Sequence, residues 1–152
     1  MVDKLYKTDL GDQTIYALIN SVNDYPEIDI NWVFNKYMNS RERFQAEDGN
    51  PHFICKSARE ILMDLILDPN DYPKSPNEEY NLDYNVLYWC GLIYNNLFFM
   101  YHIRGFKLLE YLPLKLLVKL YYPNHERSII TACENFFEYF IKDKDYQNYV
   151  IE

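Results

Sequence analysis

The chain is short of the residues that make sheet turns, covalent staples and metal centres. Only four of its 152 residues are glycine, Gly11, Gly49, Gly91 and Gly105. No Asn-Gly or Asp-Gly pair stands between alternating apolar residues, so β-hairpins have no support. No glycine-rich turn leads into a Lys-Ser/Thr pair, and the usual phosphate-binding loop is absent. The three cysteines, Cys55, Cys90 and Cys133, are an odd number set in apolar runs. They read as reduced core thiols and place the chain in a reducing, cytoplasmic compartment. Positive charge is scarce as well: 15 Lys and Arg against 23 Asp and Glu leave a net charge of −8. That balance argues against nucleic acid as a direct partner and against an anionic membrane surface. At the amino terminus, acids stand where a secretion signal needs a basic start and an apolar run, so no signal peptide is expected.

What is present is an uneven distribution of charge. Residues 1–83 hold 16 acids and 8 bases, whereas residues 84–152 hold seven of each. One half is acidic, and the other is neutral and apolar. The sixteen tyrosines accompany much Asn, Ile and Lys, a composition that fits an A/T-rich bacterial or phage gene. The length suits one domain able to bury a sizeable core.

Helical periodicity organises the chain throughout. A first helix is expected after Asp12 as N-cap, carrying Ile15, Leu18, Ile19 and Val22 and stopping before Asp24-Tyr25-Pro26. A second spans 29–44, with Trp32, Val33, Tyr37, Lys36 and Phe44 on or beside its inner stripe. Ser57-Ala58-Arg59-Glu60 is a capping box ahead of Ile61, Leu62, Leu65 and Ile66, and Asp68-Pro69 ends that helix. An acidic Pro/Asn-rich connection follows at 68–82. A long central helix at 83–104 carries two adjacent stripes, Val86, Cys90, Ile93, Leu97 and Met100, then Leu87, Gly91, Tyr94, Phe98 and Tyr101. Asn95-Asn96 at its middle makes it a core helix rather than a membrane span, and Gly105 is its expected C′ residue. Short helices are expected at 106–112 and 113–121, broken at Tyr122-Pro123-Asn124. A last helix at 125–142 buries Ile129, Ile130, Cys133, Phe136, Phe137 and Phe140. The predicted fold is a single all-α domain of six or seven helices.

Candidate chemistry is sparse. His52 and Cys55 have a spacing that could supply two metal ligands or a nucleophile and base, but no second Cys/His pair and no orienting group accompany them. His102 and Arg104 sit where a basic residue complements a helix C-terminus. Asp64, Asp68 and Asp71 recur at roughly helical spacing, yet Asp68-Pro69 breaks the helix that would align them for a cation. None of Arg41, Arg43, Arg59, Arg104 and Arg127 is followed by a histidine four to six residues later, which removes a helical ribonuclease arrangement. No catalytic residue, metal or cofactor is assigned. The acidic connection remains. There Asp71, Glu78, Glu79 and Asp83 alternate with Tyr72 and Tyr80, a mixture suited to a basic protein surface because aromatics supply contact area and carboxylates steer association. Solubility alone would also favour acids in such a segment.

Tyr88-Trp89-Cys90-Gly91-Leu92-Ile93-Tyr94, followed by Tyr121-Tyr122-Pro123-Asn124-His125, resembles a group of small bacterial antitoxin-like proteins that carry a Trp-x-Gly-x-Ile-Tyr helix and a later Tyr-containing turn ending in His. The resemblance implies a non-catalytic neutraliser. With the charge pattern, the functional expectation is an inhibitor that blocks a basic toxin nuclease, in the manner of an antitoxin or immunity protein. The alternatives are a phage-encoded inhibitor of a host defence protein or nucleic-acid mimic, a small enzyme using His52 and Cys55 or His125, and a structural subunit whose aromatic face is an oligomer contact.

Overall fold

Short polar side chains start most of the helices in this protein. A computed structural model describes residues 2–75 and 83–151, apart from the side chains of residues 2–6. Among the described residues there are nine α-helices and no strand, so the chain is all-α. In six of them the N-cap side chain accepts from a backbone N–H of the first turn: Asp29, Ser40, Asn50, Ser57, Asp83 and Ser128. Each bond satisfies one of the donors that a helix start leaves open. The capping box is formed in full on its serine side, where Ser57 Oγ accepts from Glu60 N–H at 3.2 Å.

The helices are α1 (Val2–Asp24), α2 (Ile30–Met38), α3 (Arg41–Glu47), α4 (Pro51–Ile54), α5 (Ala58–Leu65), α6 (Tyr84–Tyr101), α7 (Gly105–Tyr111), α8 (Leu114–Asn124) and α9 (Ile129–Phe136). A 3-10 turn at Pro69–Asp71 and a π-helical turn at Phe137–Ile141 complete the regular structure, with a last 3-10 turn at Tyr146–Tyr149. The α1 helix packs on α2, α4, α5 and α6, while α6 also receives α7, α8 and α9. Both stripes expected on α6 face inward: Val86, Leu87, Cys90, Ile93, Tyr94, Leu97 and Phe98 are buried. Gly91 lets α1 and α6 approach, since a Cβ there would lie 2.6 Å from Ile15 Cγ1 and 3.0 Å from Ile15 Cα. No helix among the described residues is long and apolar enough to cross a membrane.

Several boundaries differ from the sequence expectation, each for a local reason. The first helix begins at Val2, not after Asp12. Gly11 is held inside it, because Asn95 Nδ2 donates to the Gly11 carbonyl at 3.0 Å and Leu10 is buried against the core. At 23 residues α1, not the 18-residue α6, is the longest helix. The helix expected over 29–44 is two, because Ser40 turns the chain and caps α3. Its inner stripe is Ile30, Val33, Phe34, Tyr37 and Met38, while Trp32, Lys36 and Phe44 face solvent. The α5 helix closes before Asp68, which instead caps the 3-10 turn.

The end of α6 is also different. His102, at φ 57°, takes the left-handed position expected of Gly105. Gly105 opens α7, and its missing Cβ leaves room for the Glu47 carboxylate and for Met38 Cε, which would lie 2.7 Å away. Pro123 falls within the last turn of α8, where Asn124 Nδ2 donates to Leu120 O and His125 N–H to Tyr121 O. The last helix starts on Ser128 rather than at His125, and Ile130 is exposed. Cys90 and Cys133 are core thiols, but Cys55 is exposed on the turn after α4. Burial pushes the Cys90 thiol well above its ordinary range, and burial followed by Glu134 pushes that of Cys133 up to about 12.

Candidate functional site

The stripe of α2 decides where the most exposed tryptophan stands. Ile30, Val33, Phe34, Tyr37 and Met38 occupy positions i, i+3, i+4, i+7 and i+8 and turn inward. Trp32 is therefore thrown outward and is 52% exposed. Two grooves flank this indole. One, of about 410 Å³, has Phe106, Leu109 and Pro113 as an apolar floor, Asn31, Asn35 and Asn39 along the α2 wall, and Glu110 at its rim. The other, of about 560 Å³, runs between Trp32 and Leu65, Leu67, Asp68, Asp71 and Tyr72. Trp32, Asn35 and Asn39 line both grooves, so α2 is the ridge between them.

The acidic connection reaches this ridge through backbone pairing. Asp29 N–H donates to Pro73 O and Ser75 N–H to Glu27 O, both at 2.9 Å, and Ile28 and Lys74 form an isolated antiparallel bridge. These bonds hold residues 73–75 against the turn that precedes α2. Tyr72 is half-buried against the edge of the core, and its phenol pKa is raised by that burial and then by Asp71. Asp71 is exposed at the end of the 3-10 turn. Three carboxylates, Asp68, Asp71 and Glu110, and one base, Lys36, line the two grooves. The surface thus has an aromatic centre, amide and apolar walls, and an acidic rim.

Of the residues expected to bind a partner, Asp71 and Tyr72 line the same groove as Trp32. Asp83 is used elsewhere, its Oδ1 accepting from Val86 N–H at 3.0 Å to cap α6. Glu78, Glu79 and Tyr80 lie outside the described residues. Sequence reading missed Trp32, the Asn31, Asn35 and Asn39 row, and Glu110. The row was legible as an i, i+4, i+8 series once the apolar stripe had been given its own phase. The contribution of α7 was not, because its contact with α2 joins segments some seventy residues apart.

The other candidate chemistry does not assemble. His52 and Cys55 are both exposed at either end of α4, and the His52 ring sits edge-on to Phe53. Among the described residues no group of three or more Cys, His, Asp or Glu side chains could hold a metal ion. Asp64, Asp68 and Asp71 are exposed. The ring of His125 stacks on Tyr121 at 4.6 Å, with Nδ1 3.1 Å from the carbonyls of Tyr121 and Tyr122. Trp89 meets Tyr121 edge-on at 5.5 Å, so the two segments that carry the antitoxin-like resemblance are neighbours in space.

Beneath α2 lies a buried polar cluster with no counterpart in the expectations. Arg43 is fully buried: its Nε donates to Glu47 Oε2 at 2.7 Å, and Nη1 donates to Thr14 Oγ1. Tyr37 stands beside this guanidinium and donates from its hydroxyl to Gln13 Oε1 at 2.7 Å. Gln13 Nε2 in turn donates to the carbonyls of Phe53 and Lys56. Glu47 also accepts from Gly105 N–H at 3.0 Å. Arg104 donates to Asp48 at 2.6 Å and lies 3.7 Å over the Phe44 ring. Burial works against the Arg43 charge, but Tyr37 and Glu47 outweigh it and hold the pKa above its ordinary value. The cluster ties α1, α2, α3 and the start of α7 together beneath the Trp32 ridge.

No protein-family model, curated protein or solved structure gives a significant match to this chain.

Proposed function

We propose that the protein is a non-catalytic binding protein that neutralises a basic partner protein, in the manner of an antitoxin or immunity protein acting on a toxin nuclease. The observation that carries this reading is the exposed Trp32 between two grooves rimmed by Asp68, Asp71 and Glu110. Tryptophan is the side chain most often found at the energetic centre of an interface, because it removes much apolar area from water with few rotors to freeze. Carboxylates around it favour a surface rich in Lys and Arg, and a nuclease must have such a surface to receive phosphates. Occupying that groove with acids would exclude the nucleic acid without any reaction. The net charge of −8 supports steered association of the same kind. The closeness of Trp89, Tyr121 and His125 is compatible with the antitoxin-like resemblance.

The test begins with the partner captured from the source cells by the full chain and then purified. Its nuclease activity should fall to zero at a fixed stoichiometric ratio, with no product formed from the inhibitor. The association rate should drop at least tenfold as ionic strength rises from about 0.01 M, where charges are felt over about 30 Å, to about 1 M, where the range is about 3 Å. Trp32→Ala should raise the dissociation rate at least tenfold, while Asp71→Asn should act mainly on association. An association rate indifferent to salt, or a Trp32→Ala variant that binds as well as the parent, would overturn the proposal.

A further inference from the structure

The side of α6 turned away from α2 has a different character. Between Tyr84 and Tyr101 there is no Asp, Glu, Lys, Arg or His. One face of this uncharged helix is open. Tyr84 and Tyr88 are exposed and stacked at 5.9 Å, and Leu92 and Phe99 continue the same side half-buried. Residues 84, 88, 92 and 99 fall within about a quarter of the helix circumference at 3.6 residues per turn. Two grooves border this strip. One, of about 680 Å³, lies against Tyr121, His125, Arg127 and Ile129, and the other, of about 470 Å³, against Lys7, Asp12, Ile15 and Ile130. Tyr88 and Leu92 line both.

We propose that this strip is the contact between two copies of the chain. In a two-fold dimer the same patch meets itself, so whatever net charge it carries meets the same net charge across the axis. For a chain of net charge −8, self-repulsion is least at a face that carries no net negative charge. The ridge at Trp32 fails that condition, with three acids and one base along its grooves. The α6 strip meets it. The strip itself is uncharged, and its bordering grooves present Lys7 and Arg127 against Asp12 alone. Two exposed tyrosines, with the half-buried Leu92 and Phe99 beside them, have the composition of an interface core. Tyr94, which packs on Phe34 of α2 at 5.6 Å, points to the opposite side of α6 from Leu92, two residues away. A dimer through this strip therefore leaves both Trp32 ridges free, and one assembly would present two partner-binding surfaces.

Sedimentation equilibrium of the full chain tests the proposal. A monomer–dimer equilibrium is expected at micromolar concentration. Its dissociation constant should fall severalfold as salt is raised, because the copies repel through their net charge while the contact itself is apolar. Tyr88→Glu and Ile130→Glu change side chains that are 41% and 56% exposed. Both should fold normally by circular dichroism and weaken the dimer at least tenfold. Trp32→Ala should leave it unchanged, which separates this contact from the proposed partner surface. A chain that stays monomeric at all concentrations and salts, a dimer that survives both glutamate substitutions, or one lost in Trp32→Ala would refute it.

Discussion

Replacing Glu47 by glutamine tests whether the buried cluster organises the fold. The substitution keeps the shape of the side chain and removes its charge. In the native protein Glu47 Oε2 accepts from Arg43 Nε at 2.7 Å and from Gly105 N–H at 3.0 Å, and both side chains of the ion pair are almost fully buried. Arg43 cannot discharge, and its Nη2 has no hydrogen-bond partner among the described residues. Glu47→Gln therefore leaves a guanidinium in the core with no anion in contact. Breaking a buried pair in this way costs about 3–5 kcal/mol, a large part of the roughly 5–15 kcal/mol that holds a domain folded. With a urea slope of about 2 kcal/mol per molar, the midpoint of unfolding should fall by about 2 M. The companion double variant Arg43→Met with Glu47→Leu removes both charges at once and should recover part of that loss, the remainder being the buried Gly105 N–H left without its acceptor. Urea titration followed by circular dichroism measures all three proteins. A Glu47→Gln midpoint within about 0.3 M of the parent, using the same slope, would mean that water reaches the pair, and the reasoning would fail.

Gly91→Ala should destabilise the fold by about 1–2 kcal/mol, the overpacking at Ile15 exceeding the gain in helix propensity. In an Ile15→Ala background, which removes the Cγ1 contact and keeps the one to Cα, the same change should cost less, a coupling that a thermal double-mutant cycle reads directly. His102→Gly should stabilise by about 1 kcal/mol, since glycine takes the left-handed conformation without the Cβ penalty and the exposed imidazole is not otherwise used. Alkaline stability is the last case. Burial raises the phenol pKa of Tyr37 and Tyr94, and burial followed by the hydrogen bond to Asp145 raises that of Tyr111. Folded values above the unfolded value of 10.0 mean that the unfolded chain releases these protons first. Stability should hold below pH 10 and fall progressively above it, and Tyr111→Phe should lessen that fall. Calorimetry across pH 9–12 checks the sign, and a melting temperature that rises over this range would contradict it.

Much of the helix layout was legible because helix starts are local. Ser57, Asp83 and Asp29 each cap a helix from a position that a four-residue window can recognise. The inward stripes of α6 were legible for the same reason: residues three and four apart share a face whatever surrounds them. Trp32 was misplaced by a one-residue error of phase. Phe34, rather than Trp32, completes the i, i+3, i+4 set with Ile30 and Val33. The break at Ser40 and the left-handed turn at His102 were harder to see, because a serine within a helical pattern and a non-glycine terminus are both permitted alternatives. Of the acidic connection, Asp71 and Tyr72 join the candidate surface and Asp83 does not.

Local periodicity and capping were enough to determine an all-α chain with an acidic first half, because each depends only on residues within a turn or two of one another. The tertiary structure alone decided that Arg43 would be buried. The acceptors that make a charge tolerable there come from Thr14 on α1 and Glu47 on α3, and the N–H of Gly105 fixes the same carboxylate from far along the chain. It also decided that Trp32, Tyr72 and Phe106 would border one surface. A surface of that kind exists only where separate segments pack, and nothing in the spacing of any one of them records which neighbours it will meet.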